Sequence, residues 1–387
     1  MQHPPLQDLS ELIQLRHALH RHPELSGAEA ATAERIVSSL EKYKPSSILT
    51  QVGGTGVVAV FEGTEPTAGP TILFRCELDA LPILEDNPDL KYTSEVAGTA
   101  HLCGHDGHMA ILTGLASLLH ANKPATGRVV LLYQPAEETG MGAREMLQDE
   151  RLLPLQPDYV FALHNLPGYP LHQVIVRENA FAAASTGMVV ELQGHPSHAA
   201  EPENGLNPGE AMAEIILAFN QVVRQKELFR DLTLLTVIHA RLGEVAFGTN
   251  PGFGTVMATL RSFQAEDLQK LKQLTAQQVQ QVAEKYGLKY KIRFVEEFPA
   301  TINDPEAVQL VRQAAESLQL EAQESVQPFR WSEDFGHFTA KYKGALFGLG
   351  AGTSQPQLHH ANYNFPDELI PTGATFFYEI ARQILQP

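Results

Sequence analysis

Short, unbroken apolar runs separated by amphipathic stretches fill the first part of the chain, and they limit its fold more than any other feature. Runs at residues 55–61, 71–75, 128–134 and 159–163 show no sustained polar alternation, which suits strands buried on both faces. Helix-spaced segments lie between them. Ser26 and Glu29 form a capping-box pattern, after which Ala30, Ala33, Ile36, Val37 and Leu40 share one face of a helix reaching about residue 43. A second helix spans about residues 108–120, between the second and third runs. Strands and helices in alternation predict an α/β fold built on a mostly parallel sheet.

From about residue 185 the rhythm changes. Strand 186–192, helix 208–229, strands 232–240 and 254–262, helix 265–286 and strand 288–296 follow one another. That order is β-α-β-β-α-β, the ferredoxin-like arrangement, which closes its own sheet. Residues 180–297 therefore read as a domain inserted into another, made of residues 1–179 and 298–387 and ending in a helix at 367–386. The polar, turn-rich stretch 201–208 is expected as a loop of the insert.

Composition narrows the function. A net charge of −17 sets the chain's own field against nucleic acid and anionic membrane alike. No stretch approaches the ~20 apolar residues of a membrane span. Residues 1–5 carry no basic segment followed by an apolar run, so no secretory signal is expected. Cys76 and Cys103 are too few for a disulfide framework. Together these features predict a cytoplasmic protein.

Four segments carry chemistry. Cys103-Gly104-His105-Asp106-Gly107-His108 concentrates four candidate metal ligands within six residues, on a glycine-rich loop before an apolar helix. Glu137 and Glu138 follow the run 128–134, at the carboxyl end of a strand, where open α/β sheets bind ligands. Neighbouring side chains cannot both point into one spot in the same way, so one carboxylate can hold a metal while the other faces the substrate as a proton shuttle. His164 ends the run 159–163, and His359 follows the apolar segment 345–349 and a glycine-rich loop. Singly, each of these histidines is more often a capping or surface residue. Together they supply thiolate, imidazole and carboxylate from four separate places, as a metal centre at a sheet edge requires. His17, His20 and His22 mark a helix end and read as solvent-facing or core-satisfying residues.

Taken in order, Leu19-His20-Arg21-His22-Pro23-Glu24-Leu25-Ser26, Asp79-Ala80-Leu81-Pro82, the Cys103–His108 cluster, Gln134-Pro135-Ala136-Glu137-Glu138, Glu333-Asp334-Phe335 and Leu358-His359 resemble the aminoacylase-like zinc-type metallopeptidases. Within them the likeness is to the amidohydrolase branch of hippurate hydrolases and indole-acetyl-amino acid hydrolases. The resemblance implies two divalent metal ions held by Cys103, His105, Glu138, His164 and His359, with Cys103 as a bridging group and Glu137 as general base. Asp79 would orient His105. The inserted domain would be a lid and a homodimer interface, His198 would stabilise the oxyanion with His195 as its competitor, and Arg261 would hold the substrate carboxylate unless it is an ordinary strand residue. The implied substrate is an N-acyl amino acid.

Thiolate, imidazole and carboxylate together accept zinc, manganese, cobalt or nickel. Three other readings compete: a dipeptidase or aminopeptidase on the same centre, an inactive metal-binding homologue, and a metal-free Cys-His nucleophile. Two departures from the family pattern stand out. Glu77-Leu78-Asp79 replaces Asp-Met-Asp, and Gly248-Thr249-Asn250-Pro251 replaces Asn-Val-Ile-Pro, which leaves a lid amide missing or displaced to Asn250.

Overall fold

The computed structural model describes Leu6 and residues 8–385. The secretory-signal reading of residues 1–5, and the last residue expected in the final helix, lie outside them. The described chain divides into two compact units. The first holds the residues up to Phe181, Thr301–Gln327 and those from Asp334 onward; the second holds Ala182–Ala300 and Pro328–Glu333.

The first unit is mixed α/β, as the apolar runs predict. Its sheet runs in the order Ser47–Val52, Gly56–Glu62, Arg128–Gln134, Thr71–Glu77, Tyr159–Leu166, Lys343–Gly350, Val174–Val176 and Ala322–Glu324. The central strands Arg128–Gln134, Thr71–Glu77, Tyr159–Leu166 and Lys343–Gly350 are mutually parallel, with antiparallel partners on either side. Every residue of Thr71–Glu77 is buried, which is why its sequence lacks alternation. Helix His105–Ala121 packs between the sheet and helices Leu9–Arg21 and Leu369–Leu385. It is apolar nearly all round because it is covered nearly all round.

The expected capping box is absent. Ser26 Oγ donates to Asp79 Oδ2 at 2.7 Å, and the Glu29 carboxylate accepts from Gly27 N, Thr55 Oγ1 and Ala136 N at 2.6–2.8 Å. The residue before helix Ala30–Glu41 makes no side-chain cap; the Glu24 carboxylate accepts from Thr32 N at 2.7 Å instead, and Ala30 faces outward while Thr32, Ala33, Ile36 and Leu40 are buried. Ser26 and Glu29 thus bind groups outside the helix instead of its first turn.

In the second unit the antiparallel sheet runs Thr233–Leu242, Phe253–Ser262, Ala184–Gln193, Lys289–Phe298. Helices Gly209–Arg224 and Ala265–Lys285 pack against it around Val190, Leu192, Ile215, Phe219, Leu260 and Val279. The first of these helices ends sooner than its pattern suggests, giving way to a 3₁₀ turn at Lys226–Leu228. Strand Ser197–His198 pairs with Thr249–Asn250 beside the sheet. The returning segment Pro328–Glu333 joins this unit: Ala183 N donates to Phe329 O at 3.0 Å. No helix among the described residues is long and apolar enough to cross a membrane.

Candidate metal centre

Parallel strands bring their carboxyl ends to one edge of the first unit's sheet, and the candidate ligands follow from those ends. Asp79 comes just after Thr71–Glu77, Glu137 and Glu138 after Arg128–Gln134, and His359 after Lys343–Gly350, while His164 lies within Tyr159–Leu166. Cys103 and His105 flank Gly104 at the start of helix His105–Ala121. Gly104 has φ +94°, and a Cβ there would lie 2.5 Å from Asn165 Oδ1, so no larger residue lets the loop close onto the strand. His359, with φ +65°, donates its backbone N–H to Leu102 O at 2.9 Å. This ties the two ligand loops together.

The donors converge. Cys103 Sγ lies 3.5 Å from His164 Nε2. Glu137 Oε2 and Glu138 Oε1 lie 3.8 and 4.0 Å from His105 Nε2, and Glu138 Oε1 lies 3.7 Å from His359 Nε2. Within the groups Cys103/His105/His164, Cys103/Glu138/His359 and His105/Glu137/Glu138 all donor atoms fall within 4.8 Å of one another. The two glutamates do not point apart as neighbours on a strand would. They stand in a turn, with Ala136 at φ +51° and Gly140 N donating to Glu137 O, so strand alternation does not apply.

Hydrogen bonds fix which ring nitrogens face inward. His105 Nδ1 donates to the backbone carbonyl of Asp79 at 2.8 Å, with the Asp79 carboxylate farther off at 3.5 Å. His105 Nε2, fully buried, has no hydrogen-bond partner among the described residues. His164 Nδ1 donates to Asn165 O at 2.9 Å, which turns Nε2 toward Cys103. Such backbone anchoring is how ligating imidazoles are normally oriented. Asp79 Oδ2 in turn accepts from Glu138 N at 2.9 Å.

Burial, together with the neighbouring Glu138 carboxylate, pushes the Cys103 thiol well above its ordinary range. Burial pulls His105 down, but the Cys103 sulfur and Asp79 outweigh it and hold the ring well above its usual value. Burial and the nearby His108 lower His164 to about 3. A buried, unpartnered imidazole nitrogen among a thiol, two carboxylates and two further imidazoles fits a divalent cation. It fits a thiolate nucleophile poorly, because burial and the glutamates raise the thiol by more than the adjacent His105 lowers it.

The six-residue cluster splits. Cys103 and His105 face this centre, whereas Asp106 turns toward Arg16 and His20, and His108 bonds Glu77 and Asn165 at 2.6 Å each. Asn165 escaped the sequence reading, as did the partners of Glu77 and His20. Their neighbours' spacing held a faint signal at best, since buried charged groups inside apolar surroundings look like ordinary surface residues.

The second unit holds the remaining candidates. His198 is exposed and its Nδ1 accepts from Ala200 N at 3.1 Å. Arg261 donates to Ser332 Oγ at 2.9 Å and Arg330 O at 3.1 Å. Asn250 is buried and its amide is engaged at both ends, donating to Ser197 Oγ at 3.0 Å and accepting from Asn207 at 2.7 Å. It stitches the turn-rich loop.

Residues 73–383 match Peptidase family M20/M25/M40. N-acetyl-L-cysteine deacetylase of Bacillus subtilis (strain 168) is 32% identical over 376 residues, 97% of this chain and 88% of its own. Hippurate hydrolase of Campylobacter jejuni is 28% identical over 386 residues, 99% of each chain. A dinuclear metal-binding peptidase of the M20 family from Bacillus subtilis superposes with a TM-score of 0.80 at 27% identity, over 98% of both chains. The chain thus belongs to peptidase family M20/M25/M40 and is a metal-dependent hydrolase.

Proposed function

We propose that this protein is an amidohydrolase that cleaves the amide bond of N-acyl amino acids at a centre of two divalent cations, zinc or manganese, held by Cys103, His105, Glu138, His164 and His359. Cys103 groups with His105 and His164 on one side and with Glu138 and His359 on the other, so its sulfur would serve both cations. When bound, the cations lower the pKa of a water toward neutrality and polarise the amide carbonyl. Glu137 takes the proton from that water and delivers it to the leaving amine. Asp79 holds His105 through its carbonyl and the Glu138 backbone through its carboxylate, keeping both ligands in register.

The observation that carries this reading is the inequality of the two glutamates. Both approach His105, but only Glu138 also faces His359. Glu138 is thus placed as a ligand between two rings, while Glu137 stands beside one of them and near Glu333 and Asp334, where a base is useful and a closed structural site needs none. That argues against an inactive metal-binding homologue. Two relatives named for N-acetyl-L-cysteine and hippurate support an N-acyl amino acid as substrate.

Residues 180–297 serve in this proposal as lid and homodimer surface, with His198 stabilising the oxyanion and Arg261 holding the substrate carboxylate. Edge strand Thr233–Leu242 and the turn after it expose Ile238, Leu242, Val245 and Phe247, an apolar surface suited to a second copy. The cytoplasm suits two free buried cysteines.

The experiment is a hydrolysis screen of N-acetyl and N-benzoyl amino acids against free dipeptides, run on manganese- and zinc-loaded protein. Turnover of the acylated compounds is expected. Turnover confined to dipeptides would overturn the substrate assignment in favour of a peptidase.

A further inference from the structure

A buried charge cluster in the first unit takes no part in the chemistry above. His20 is fully buried near the end of helix Leu9–Arg21. Its Nδ1 lies 2.8 Å from Asp106 Oδ2, and its Nε2 lies 3.1 Å from Glu85 Oε1. A neutral imidazole donates from one nitrogen only, so carboxylates on both edges require an imidazolium donating to each. The surroundings agree: burial pulls the ring down, yet the bonds to Asp106 and Glu85 outweigh it and hold His20 at about 9. Arg16, one turn earlier on the same helix face, donates to the same Asp106 oxygen at 3.1 Å.

The two carboxylates sit at informative places. Asp106 follows His105 in the first turn of its helix. Glu85 belongs to the irregular stretch 78–104, which joins strand Thr71–Glu77 to that helix and carries Asp79 and Cys103. Having no helix or strand of its own, this stretch leans on residues 20–26. Glu95 N donates to Arg21 O at 2.8 Å, Ala80 N to Glu24 O at 2.8 Å, and Ser26 Oγ to Asp79 Oδ2 at 2.7 Å. The His20–Ser26 part of the first motif thus forms a rail on which the metal-binding loop is laid.

We propose that His20 is a positioning residue of the metal centre: by bridging Glu85 to Asp106 it clamps the loop at both ends and sets Cys103 and His105 where a divalent cation can be held. The inference rests on the reading that those two residues hold metal.

The test is cobalt(II) titration of the full chain against a competing chelator, with the cobalt–thiolate absorption band reporting the geometry at Cys103. His20→Gln keeps polarity but cannot donate to two carboxylates from opposite edges. Its cobalt affinity is expected to fall about 10–100-fold, the usual effect of losing a group that orients metal ligands, with a weakened or shifted thiolate band. Circular dichroism should still show a folded protein. Unchanged affinity and an unchanged band, with only a lower melting temperature, would make His20 merely structural and overturn the proposal. Cys103→Ser separates this from the underlying reading. If the wild type takes up no cobalt, or Cys103→Ser retains the band, the metal assignment itself fails. Should His20→Gln not fold, Glu85→Gln decides, since it leaves Arg16, His20 and Asp106 in place: an affinity loss of about threefold or more supports the clamp, and unchanged affinity overturns it.

Discussion

Replacing Glu137 and Glu138 separately by glutamine tests the division of labour at the centre. Each change removes one negative charge and keeps the side-chain volume, so the outcome depends on what each carboxylate faces. Glu138 Oε1 stands 4.0 Å from His105 Nε2 and 3.7 Å from His359 Nε2, and so belongs to two donor groups that together include Cys103. Glu138→Gln should therefore lose metal. Glu137 Oε2 stands 3.8 Å from His105 Nε2 and is assigned here as the base, so Glu137→Gln should keep both metal and substrate affinity. Its turnover should fall by about 10²–10⁴, the usual contribution of a general base. At ~1.4 kcal/mol per tenfold, that is roughly 3–5 kcal/mol of barrier. Metal content per chain, substrate-analogue affinity and single-turnover rates on the same preparations provide the three measurements. If Glu137→Gln lost metal while Glu138→Gln kept metal and lost only rate, the roles would be exchanged. If both kept metal and near-normal rates, the pair would have no part in catalysis.

Removing metal with a chelator should abolish hydrolysis, added zinc or manganese should restore it, and Cys103→Ser should lower metal content; full activity in a verified metal-free preparation would refute the centre. His198→Ala should leave metal content unchanged and cut turnover by about a hundredfold or more, as loss of an oxyanion donor does; if His195→Ala produces that loss instead, the role belongs to His195. A third expectation concerns alkaline stability. His20 faces Asp106, Glu85, Arg16 and the edge of Tyr92, and its rise from 6.5 to about 9 corresponds to roughly 3 kcal/mol. Because the folded state binds this proton more tightly, the stabilisation is complete below about pH 6.5 and is lost as pH rises through about 9. Urea midpoints of wild type and His20→Gln should differ most near pH 6 and converge near pH 10, and a gap independent of pH would refute the imidazolium.

What could be read from the sequence follows the reach of its periodicities. Continuous apolar runs mark strands covered on both faces, and in a parallel sheet those strands end along one edge. A residue type able to ligate metal, found just past such a run, can therefore be placed in space without coordinates. That logic located Glu137, Glu138, His164 and His359. It did not foresee the turn at Ala136, whose φ of +51° leaves the extended conformation on which alternation depends. It went wrong for Ser26 and Glu29 as well, whose side chains fit a helix cap but find partners in other elements, at Asp79 and Ala136.

Asp79 apart, the pairings behind the donors could not be read. His20 meets Asp106 across 86 positions, and Arg75 meets Asp334 across 259. No local pattern encodes pairings of that span, and a charged residue carries no mark of burial. Such pairs also tolerate substitution poorly. Removing one partner of a buried ion pair strands the other charge away from water, at about 3–5 kcal/mol. Arg75 Nη2 donates to Asp334 Oδ1 at 2.6 Å, and the Asp334 carboxylate also accepts from Gln134 Nε2 at 2.8 Å, just before the turn that presents both glutamates. The groups hidden from the sequence are thus the ones that hold the readable ligands in place, which is why a donor set can be recognised from its spacing while its geometry cannot.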